Sequence, residues 1–501
     1  MEQISNREMP EELKELVAKV NKVEPINIKA QKPKSIEELK RKLSDLSYTM
    51  RDKGKYEKFP PSIIADILQR EWYFKLIGTS RDYSMLYVFN PDTGIYDSSV
   101  NLIYQLTNSI EFQALPSDWK NVIEIIRIKV PLEKPNEHRH LIPVGNGIFN
   151  TKSKKLLEFN PKYIFTSKIE TNYNPDAKLK SIDGWNVEDW LKSLVLGDEE
   201  MVTLLYQVLN EAINSNYTRK KIGFLVGEGS SGKGSFQQLI INLLGFSNIA
   251  TLKMEEFGGD SNKFKKSMLL GKTCNIGDDI SRTPVDSVSD LMSIATGDPI
   301  SIEIKNGGIY SAQLKMFCLF SGNEMPNVKG NKSNGWYRRL LIIPFNANFN
   351  GKKENTKIKD EYIKDTEVLE YVLHKAINMN FEKFIEPEAV KDAISNYKVK
   401  NDIIRSYVIE RYLVENYTYY ERVPIKFIKS DFIEYLKENN NRHSTIPYGF
   451  VNEILKNLNE LSEGTFEEKN SRFNEDYIST LPYEMKDFVK VGTAKAIEKS
   501  G

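Results

Sequence analysis

The stretch KIGFLVGEGSSGKGSFQQLIINLLG, Lys221 to Gly245, decides the fold. Its start, Ile222 to Val226, has strand character, and Ser235 to Leu244 has helix character with Gly245 as a stop. Between them lies Gly227-x-x-x-x-Gly232-Lys233, so a strand leads through a glycine-rich loop into a helix. In such a loop the backbone around Gly227, Gly229, Ser231 and Gly232 turns successive N–H groups onto phosphate oxygens. The helix N-terminus adds a favourable dipole. Lys233 supplies a point charge for the β and γ phosphates. A glycine-rich strand-to-helix turn with no ligand has the same string, but the flanking strand and helix favour the nucleotide reading.

The next residue departs from the pattern. Phosphate loops usually carry Ser or Thr after the lysine, and its hydroxyl binds Mg²⁺. Here Gly234 stands there, with Ser235 one position on. Ser235 is expected to reach the α-phosphate or a metal-bound water, leaving Mg²⁺ to lean on carboxylates and water.

Hydrolysis needs acids at a neighbouring strand end. The run GKTCNIGDDI supplies Asp278 and Asp279, one acid to hold Mg²⁺ and one to polarise the attacking water; a surface turn or helix N-cap suits the same pair. The apolar run LKMFCLFSGNEMP ends in Ser321-Gly322-Asn323, where a polar side chain can sit beside the γ-phosphate or simply close a strand. WYRRLLIIPF puts Arg338 and Arg339 at the start of another apolar strand. They read either as a charged strand edge or as a finger reaching a neighbouring subunit's ATP. ISIEI, then Lys305-Asn306-Gly307-Gly308, then a second strand is a strong hairpin signal, with a tip that is either solvated or gripping DNA.

Composition bounds the rest. The chain has 501 residues, 40% hydrophobic and 28% charged, ordinary for globular protein in several domains. Lys+Arg of 70 against Asp+Glu of 69 leaves +1, which argues against bulk coating of nucleic acid but not against a local basic channel. Cys274 and Cys318 lie in apolar runs and read as buried reduced thiols. The four histidines have no zinc-ligand spacing. The polar N-terminus lacks a signal peptide's apolar core, and no run of about 18 apolar residues occurs, so a cytoplasmic protein without a membrane span is expected.

Along the chain, SIEELKRKLSDL opens with Ser35 and Glu38 in capping-box spacing. LYVFNPDTGIYD and GNGIFNTKSKKLLEF each read as strand, turn, strand. A polar stretch near residue 180 marks a boundary, and from there to about 385 helix and strand alternate, as in a parallel α/β layer. RSYVIERYL, KSDFIEYLKENN and YGFVNEILKNL are short helices followed by strand-like ends. They suit a winged-helix module or a three-helix bundle with no DNA role.

In this order, the loop from Gly227 to Ser235, the acid pair, the hairpin, Asn323 and the Arg-Arg pair resemble the superfamily 3 helicases. These are AAA+ ATPases of viruses, phages and plasmids. The subgroup is the poxvirus/phage-plasmid primase-helicase type, nearest to the Rep-type initiator helicases of staphylococcal mobile genetic islands. The resemblance covers most of the chain beyond about residue 80.

It implies a multidomain fold: an α+β N-terminal domain over 1–180, an α/β AAA+ P-loop ATPase core over 181–385, and a small C-terminal winged-helix-like domain over 386–501. It implies ATP and Mg²⁺ as cofactors, Asp278 as the acid that assists Mg²⁺, Asp279 as catalytic carboxylate, Asn323 as sensor, and Arg338 or Arg339 as trans-acting finger. Lys305 and Asn306 would touch single-stranded DNA in the pore of a hexameric ring. Origin duplex DNA and primase or polymerase proteins are the further partners. Asp279 stands where related ATPases often have Glu, and the region before residue 80 lacks the length and acid cluster of a primase. The function expected is an ATP-driven, ring-forming helicase that initiates replication. An origin-binding ATPase that does not unwind, or a small-molecule kinase using the GKGS loop, are the alternatives.

Overall fold

The computed structural model describes residues 33–500 except 55, 79–80, 82–83, 135–137, 259–261, 279, 281–284, 286, 306–307, 327, 329–333, 352–354, 439–444 and 448. Asp279 and Asn306 therefore lie outside the described residues. The chain divides into two compact units, one of Met1–Leu76 with Leu86–Pro131 and one of Ile77–Met85 with Leu132–Gly501.

In the first unit the helix Ile36–Asp52 begins where the sequence indicates, with the Ser35 hydroxyl accepting from Glu38 N at 3.1 Å. The partner half of the expected box differs: the Glu38 carboxylate accepts from Lys34 N. Pro61–Glu71 packs on Pro116–Lys129, and Ile36–Asp52 on Val100–Ile110. Strand residues Val88–Asn90 pair antiparallel with Ile95–Asp97 across the Pro-Asp-Thr-Gly turn. One charge is buried here. Glu111 is 1% exposed and accepts from Phe59 N at 2.8 Å and Gln113 N at 3.0 Å, while Arg51 pairs with it at 2.7 Å.

The second unit is built on a five-stranded sheet: β1 (Ile222–Val226), β2 (Ile249–Ala250), β3 (Cys274–Gly277), β4 (Phe317–Gly322) and β5 (Leu340–Pro344), in the order β5-β1-β4-β3-β2. Every pairing is parallel. The strands read as unbroken apolar runs because both faces are covered. Leu225, Leu319, Leu341 and Cys274 point into one core with Phe236 and Leu239 of the helix α3 (Lys233–Leu244). Phe224, Phe320, Ile342 and Cys318 point into the other, with Leu291 and Trp336. Both thiols are free, buried and on opposite faces of the sheet, so they cannot join.

The breaks expected near 180 and 386 do not coincide with breaks in these cores. Ile142, Val144, Phe149 and Tyr173 share the α3 side of the sheet with α1 (Val187–Leu194) and α2 (Glu199–Ala212). The segment before residue 180 closes the sheet's core rather than standing apart from it. The helix Glu388–Asn401 packs on β5, burying Val390 and Tyr397, and the Tyr397 hydroxyl donates to Pro326 O at 2.8 Å. A polar stretch marks solvent exposure of the backbone, not the end of a core.

Beyond Asp402 a separate core forms around Tyr407, Phe432, Ile454, Phe473 and Ile497. Helical turns over Ile403–Tyr412 are followed by a strand (Arg422–Pro424), two helices (Ile425–Glu438, Phe450–Leu461) and two long strands (Thr465–Phe473, Gly492–Ser500). The last strand is central and antiparallel to both others. Among the described residues no helix is long and apolar enough to cross a membrane.

Arg51→Ala leaves Glu111 buried without its cation and should cost about 2–4 kcal/mol by denaturant unfolding, less than for a fully buried pair because Arg51 is part-exposed. Burial raises the Glu111 pKa, but hydrogen bonds from Phe59, Gln113 and Arg51 outweigh it and hold the carboxyl below its ordinary 4.5. A depressed acid stabilises the fold above its unfolded value, so this contribution should be present above pH 4.5 and fade as the pH falls below it.

Candidate nucleotide site

Register decides which groups meet. Gly322 and Pro344 each stand level with Val226, so β1, β4 and β5 end together and Gly227 leaves the sheet at its carboxyl edge. Gly277 is level with Phe320, which places Asp278 beside Ser321. The Ser321 hydroxyl donates to Asp278 Oδ1, so a side chain from β4 orients the acid of β3. Because β4 lies between β1 and β3, Asn323 emerges between the phosphate loop and the acid, with each neighbouring strand about 5 Å away. It is exposed. The sequence named Ser321 only as part of a strand end; its bond to Asp278 depends on a pairing between strands roughly 40 residues apart in the chain.

The loop itself is tightly determined. A Cβ on Gly227 would lie 2.1 Å from Phe345 O, and one on Gly232 would lie 2.3 Å from Leu194 Cδ2. Gly232 also has φ +90, and Ser230 has φ +58, so the loop twice enters the left-handed region before α3 begins. Two backbone bonds fix it from outside, Phe345 N to Val226 O at 2.7 Å and Phe349 N to Ser230 O at 2.9 Å. Inside, the Lys233 ammonium donates to Gly227 O at 2.6 Å, Glu228 O at 2.8 Å and Ser231 Oγ at 3.2 Å. Burial lowers the Lys233 pKa, with the Asp278 charge opposing. Gln237, buried in the first turns of α3, donates to Gly277 O at 3.4 Å and ties the loop helix to the acid strand.

Gly234 and Gly229 are different. Nothing lies within 4 Å of a Cβ built on Gly229, and the nearest atom at Gly234 is Lys359 Nζ at 4.0 Å. Gly234 is helical, so neither space nor backbone requires a glycine there. The missing hydroxyl is a chemical choice that the fold does not force.

Beside the loop is a cleft of about 480 Å³ lined by Ser230, Gly232 and Ser235 on one side, by Trp185, Trp190 and Ser193 on another, and by Phe349, Thr356, Ile358, Lys359 and Asp360. The Trp185 ring lines the cleft, while its Nε1 is buried away from solvent without a hydrogen-bond partner. Sequence reasoning missed this wall. Trp185 and Trp190 come from about 40 residues before the loop and Lys359 from over 120 after it, with no motif to mark them. Ser235 lines this cleft, whereas Asp278 is not part of its lining.

The two arginines are elsewhere. Leu340 is level with Ile222, and Ile222 N donates to Arg339 O at 2.7 Å, so Arg338 and Arg339 lie at the amino edge of the sheet. Six residues of strand separate that level from Gly227, about 20 Å. Arg338 is exposed, while Arg339 bonds Gly335 O at 2.5 Å and has a buried Nε without a partner. Burial, then repulsion from Arg338, lowers the Arg339 pKa. Lys305 is exposed at the tip of an antiparallel hairpin, Pro299–Ile304 with Gly308–Gln313, whose second strand leads into β4. Among the described residues no group of three or more His, Cys, Asp or Glu could hold a metal ion.

Comparison with known proteins bears on this arrangement. A family described as "D5 N terminal like" matches residues 100–194, and a family of unknown function, DUF5906, matches residues 225–339. Both are typical of phage and plasmid primase-helicase proteins. No curated protein matches. Among solved structures, the A form apo structure of the NrS-1 C-terminal region is 14% identical with a TM-score of 0.46. It is matched over 89% of this chain and all of its own. A second A form structure of that region, 12% identical over 88% of this chain and all of its own, has a TM-score of 0.45.

The glycine geometry makes a paired prediction. Gly227→Ala should destabilise the fold by at least about 2 kcal/mol, since its Cβ meets a fixed carbonyl. Gly234→Ser should instead stabilise α3 by about 0.5 kcal/mol. If Mg²⁺ sits on the Lys233 side of the loop, Gly234→Ser should also lower the Mg²⁺ concentration needed for half-maximal ATP turnover; an unmoved requirement would place the metal elsewhere.

Proposed function

We propose that this chain is an ATP-driven motor of phage-type DNA replication, a superfamily 3 AAA+ ATPase that translocates on single-stranded DNA as a ring and unwinds duplex. The observation that carries the reading is the division of the parallel sheet. Gly227–Lys233, Asp278 and Asn323 share the carboxyl edge, and Arg338 and Arg339 occupy the opposite one.

The residues present fit ATP. The loop offers a backbone cradle with open space at Gly229, Lys233 supplies the cation, and the cleft beside Ser235 has aromatic walls for the nucleoside. Bound Mg²⁺ would neutralise phosphate charge, with Asp278 and Ser235 as the protein groups nearest the two ends of the loop. Ser235 lies on the nucleoside side and suits the α-phosphate better than the metal. In the structure Lys233 is held by loop carbonyls. Phosphate oxygens are stronger acceptors, so the ammonium exchanges two backbone partners for charged ones at little geometric cost. Asp278, fixed by Ser321, keeps its orientation while charge develops nearby. Asn323 and Asp279 are assigned to positioning the attacking water.

An arginine about 20 Å from its own phosphate loop cannot stabilise that site. Arg338, exposed at the amino edge, is assigned to the ATP of a neighbouring subunit, which makes the complete site an interface and the active form an oligomer, in our reading a hexamer. The hairpin carries Lys305 away from the nucleotide, toward the DNA.

The helix–strand–helix–helix–strand–strand order beyond Asp402, with the last strand central and two short helices, Glu475–Thr480 and Tyr483–Lys486, inserted before it, supports a winged-helix module. Its charge gives less support to duplex binding. On Phe450–Leu461, Lys456 is paired with Glu453 at 3.3 Å, and Glu460 takes Arg405 at 2.9 Å.

Lys233→Ala should abolish ATP turnover in a phosphate-release assay; turnover at the wild-type rate would refute the assignment. Arg338→Ala with Arg339→Ala should retain ATP binding and lose about a thousandfold or more in turnover. Mixing that variant with Lys233→Ala protein should restore part of the activity, because mixed interfaces then contain one complete site. No rescue would count against a shared site.

A further inference from the structure

The amino edge of the sheet carries a second, smaller pocket, of about 80 Å³, against about 480 Å³ for the nucleotide cleft. Thr166, Ser167, Ser215, Asn216, Lys272 and Lys315 supply its polar wall, and no carboxylate is among its lining residues. It sits where the hairpin strand Gly308–Gln313 ends and β4 begins, since Gln313 and Met316 also line it. Five residue steps of β4 separate it from the edge that bears the phosphate loop, about 17 Å.

The donors converge and are only partly used. Ser167, 5% exposed, shares one hydrogen bond with Ser215 at 2.9 Å. Two hydroxyls joined by one bond leave one O–H to point elsewhere. Lys272 donates to Ser247 O and has two further N–H groups. Asn216 spends one amide N–H on Leu141 O. Lys315 forms no hydrogen bond or ion pair with a described residue, and its stem covers Gly297. The residue after that glycine, Asp298, accepts from Thr296. Two cations and free donors around a compact space without a carboxylate match one tetrahedral dianion or one phosphodiester, and are too small a set for a nucleoside.

We infer that this pocket binds one phosphate group of single-stranded nucleic acid at the base of the hairpin. The inference rests on the DNA-motor reading for the source of the phosphate, while the phosphate chemistry rests on the pocket alone. From the pairing Ile304–Gly308 near the tip to Pro299–Gln313 at the base is five residue steps, about 17 Å. A strand of nucleic acid lying along the hairpin thus meets Lys305 at one end and Lys272 with Lys315 at the other. Two anchoring points a few nucleotides apart set the strand's direction, which a single tip lysine cannot.

The test uses the full chain and labelled oligothymidine, read by fluorescence anisotropy across a salt series. Lys272→Gln with Lys315→Ala should weaken binding about tenfold or more at low salt. The slope of log affinity against log salt should become shallower by about 0.7 for each phosphate that is no longer neutralised. Lys315→Arg should keep both. A second arm separates the sources of phosphate. In a Lys233→Ala background, which silences the phosphate loop, sodium phosphate should raise the melting temperature above that in sodium chloride of equal ionic strength. The pocket substitutions should remove that rise, and equal melting in chloride shows that they fold. Oligothymidine affinity and slope equal to wild type in the pocket variant overturn the inference. If the phosphate rise nonetheless depends on Lys315, the pocket takes a free anion instead of the strand. Failure of the motor reading itself shows separately, as ATP turnover surviving in Lys233→Ala.

Discussion

The parallel register of β1, β4 and β3 is the constraint on which the rest of the site depends. A strand inserted between the one carrying the phosphate loop and the one carrying the acid spaces them by two strand widths, about 10 Å. That gap is filled by whatever emerges from β4, here Ser321, Gly322 and Asn323. Ser321 points sideways to hold Asp278, and Asn323 continues out of the sheet. The register is secured by two buried faces. A slip of one residue would exchange Leu225 and Leu319 for Phe224 and Phe320 and put every side chain into the wrong core.

Around that frame the phosphate loop is held more firmly than a surface turn needs. Phe345 O and Leu194 exclude any side chain at Gly227 and Gly232, while Phe349 N–H clamps Ser230 from the far side. The segment after β5 therefore both shapes the loop and, through Phe349 and Lys359, walls the cleft beside it. The loop and the cleft are thus made from three distant segments, the loop held by backbone bonds and the space beside it open. The opposite edge of the sheet bears Arg338, Arg339 and the base of the hairpin, so in the proposed reading nucleotide and nucleic acid meet the same sheet at its two ends. A shift of β4 relative to its neighbours would be felt at both.

Legibility in the sequence followed locality. The Gly227–Lys233 loop, the Ser35 cap, the hairpin around Lys305 and the Pro-Asp-Thr-Gly turn were readable because each is a local contest between neighbouring residues. The boundaries expected at 180 and 386 rest on polar composition, which reports solvent exposure, while core membership of Phe149 or Tyr397 depends on partners far along the chain. Trp185, Trp190 and Lys359 carried no signal, since an aromatic in or just before a helix reads as core and a lysine in a polar run reads as surface. Arg338 and Arg339 were legible as a pair, but only the β5 register shows how far they stand from their own loop.

By itself, the sequence determined that a strand, a glycine-rich loop and a helix follow one another at Lys221–Gly245, and which residue types could serve phosphate. Those properties need only adjacent residues and backbone sterics. The tertiary structure decided which acid stands beside which hydroxyl, which glycines are forced and which, like Gly234, are not. It also decided that Cys274 and Cys318 face opposite cores and that two lysines, Lys272 and Lys315, close on one pocket. The physical reason is that these depend on strand order and register, which are set by the burial of two whole faces and appear in no single stretch of the chain.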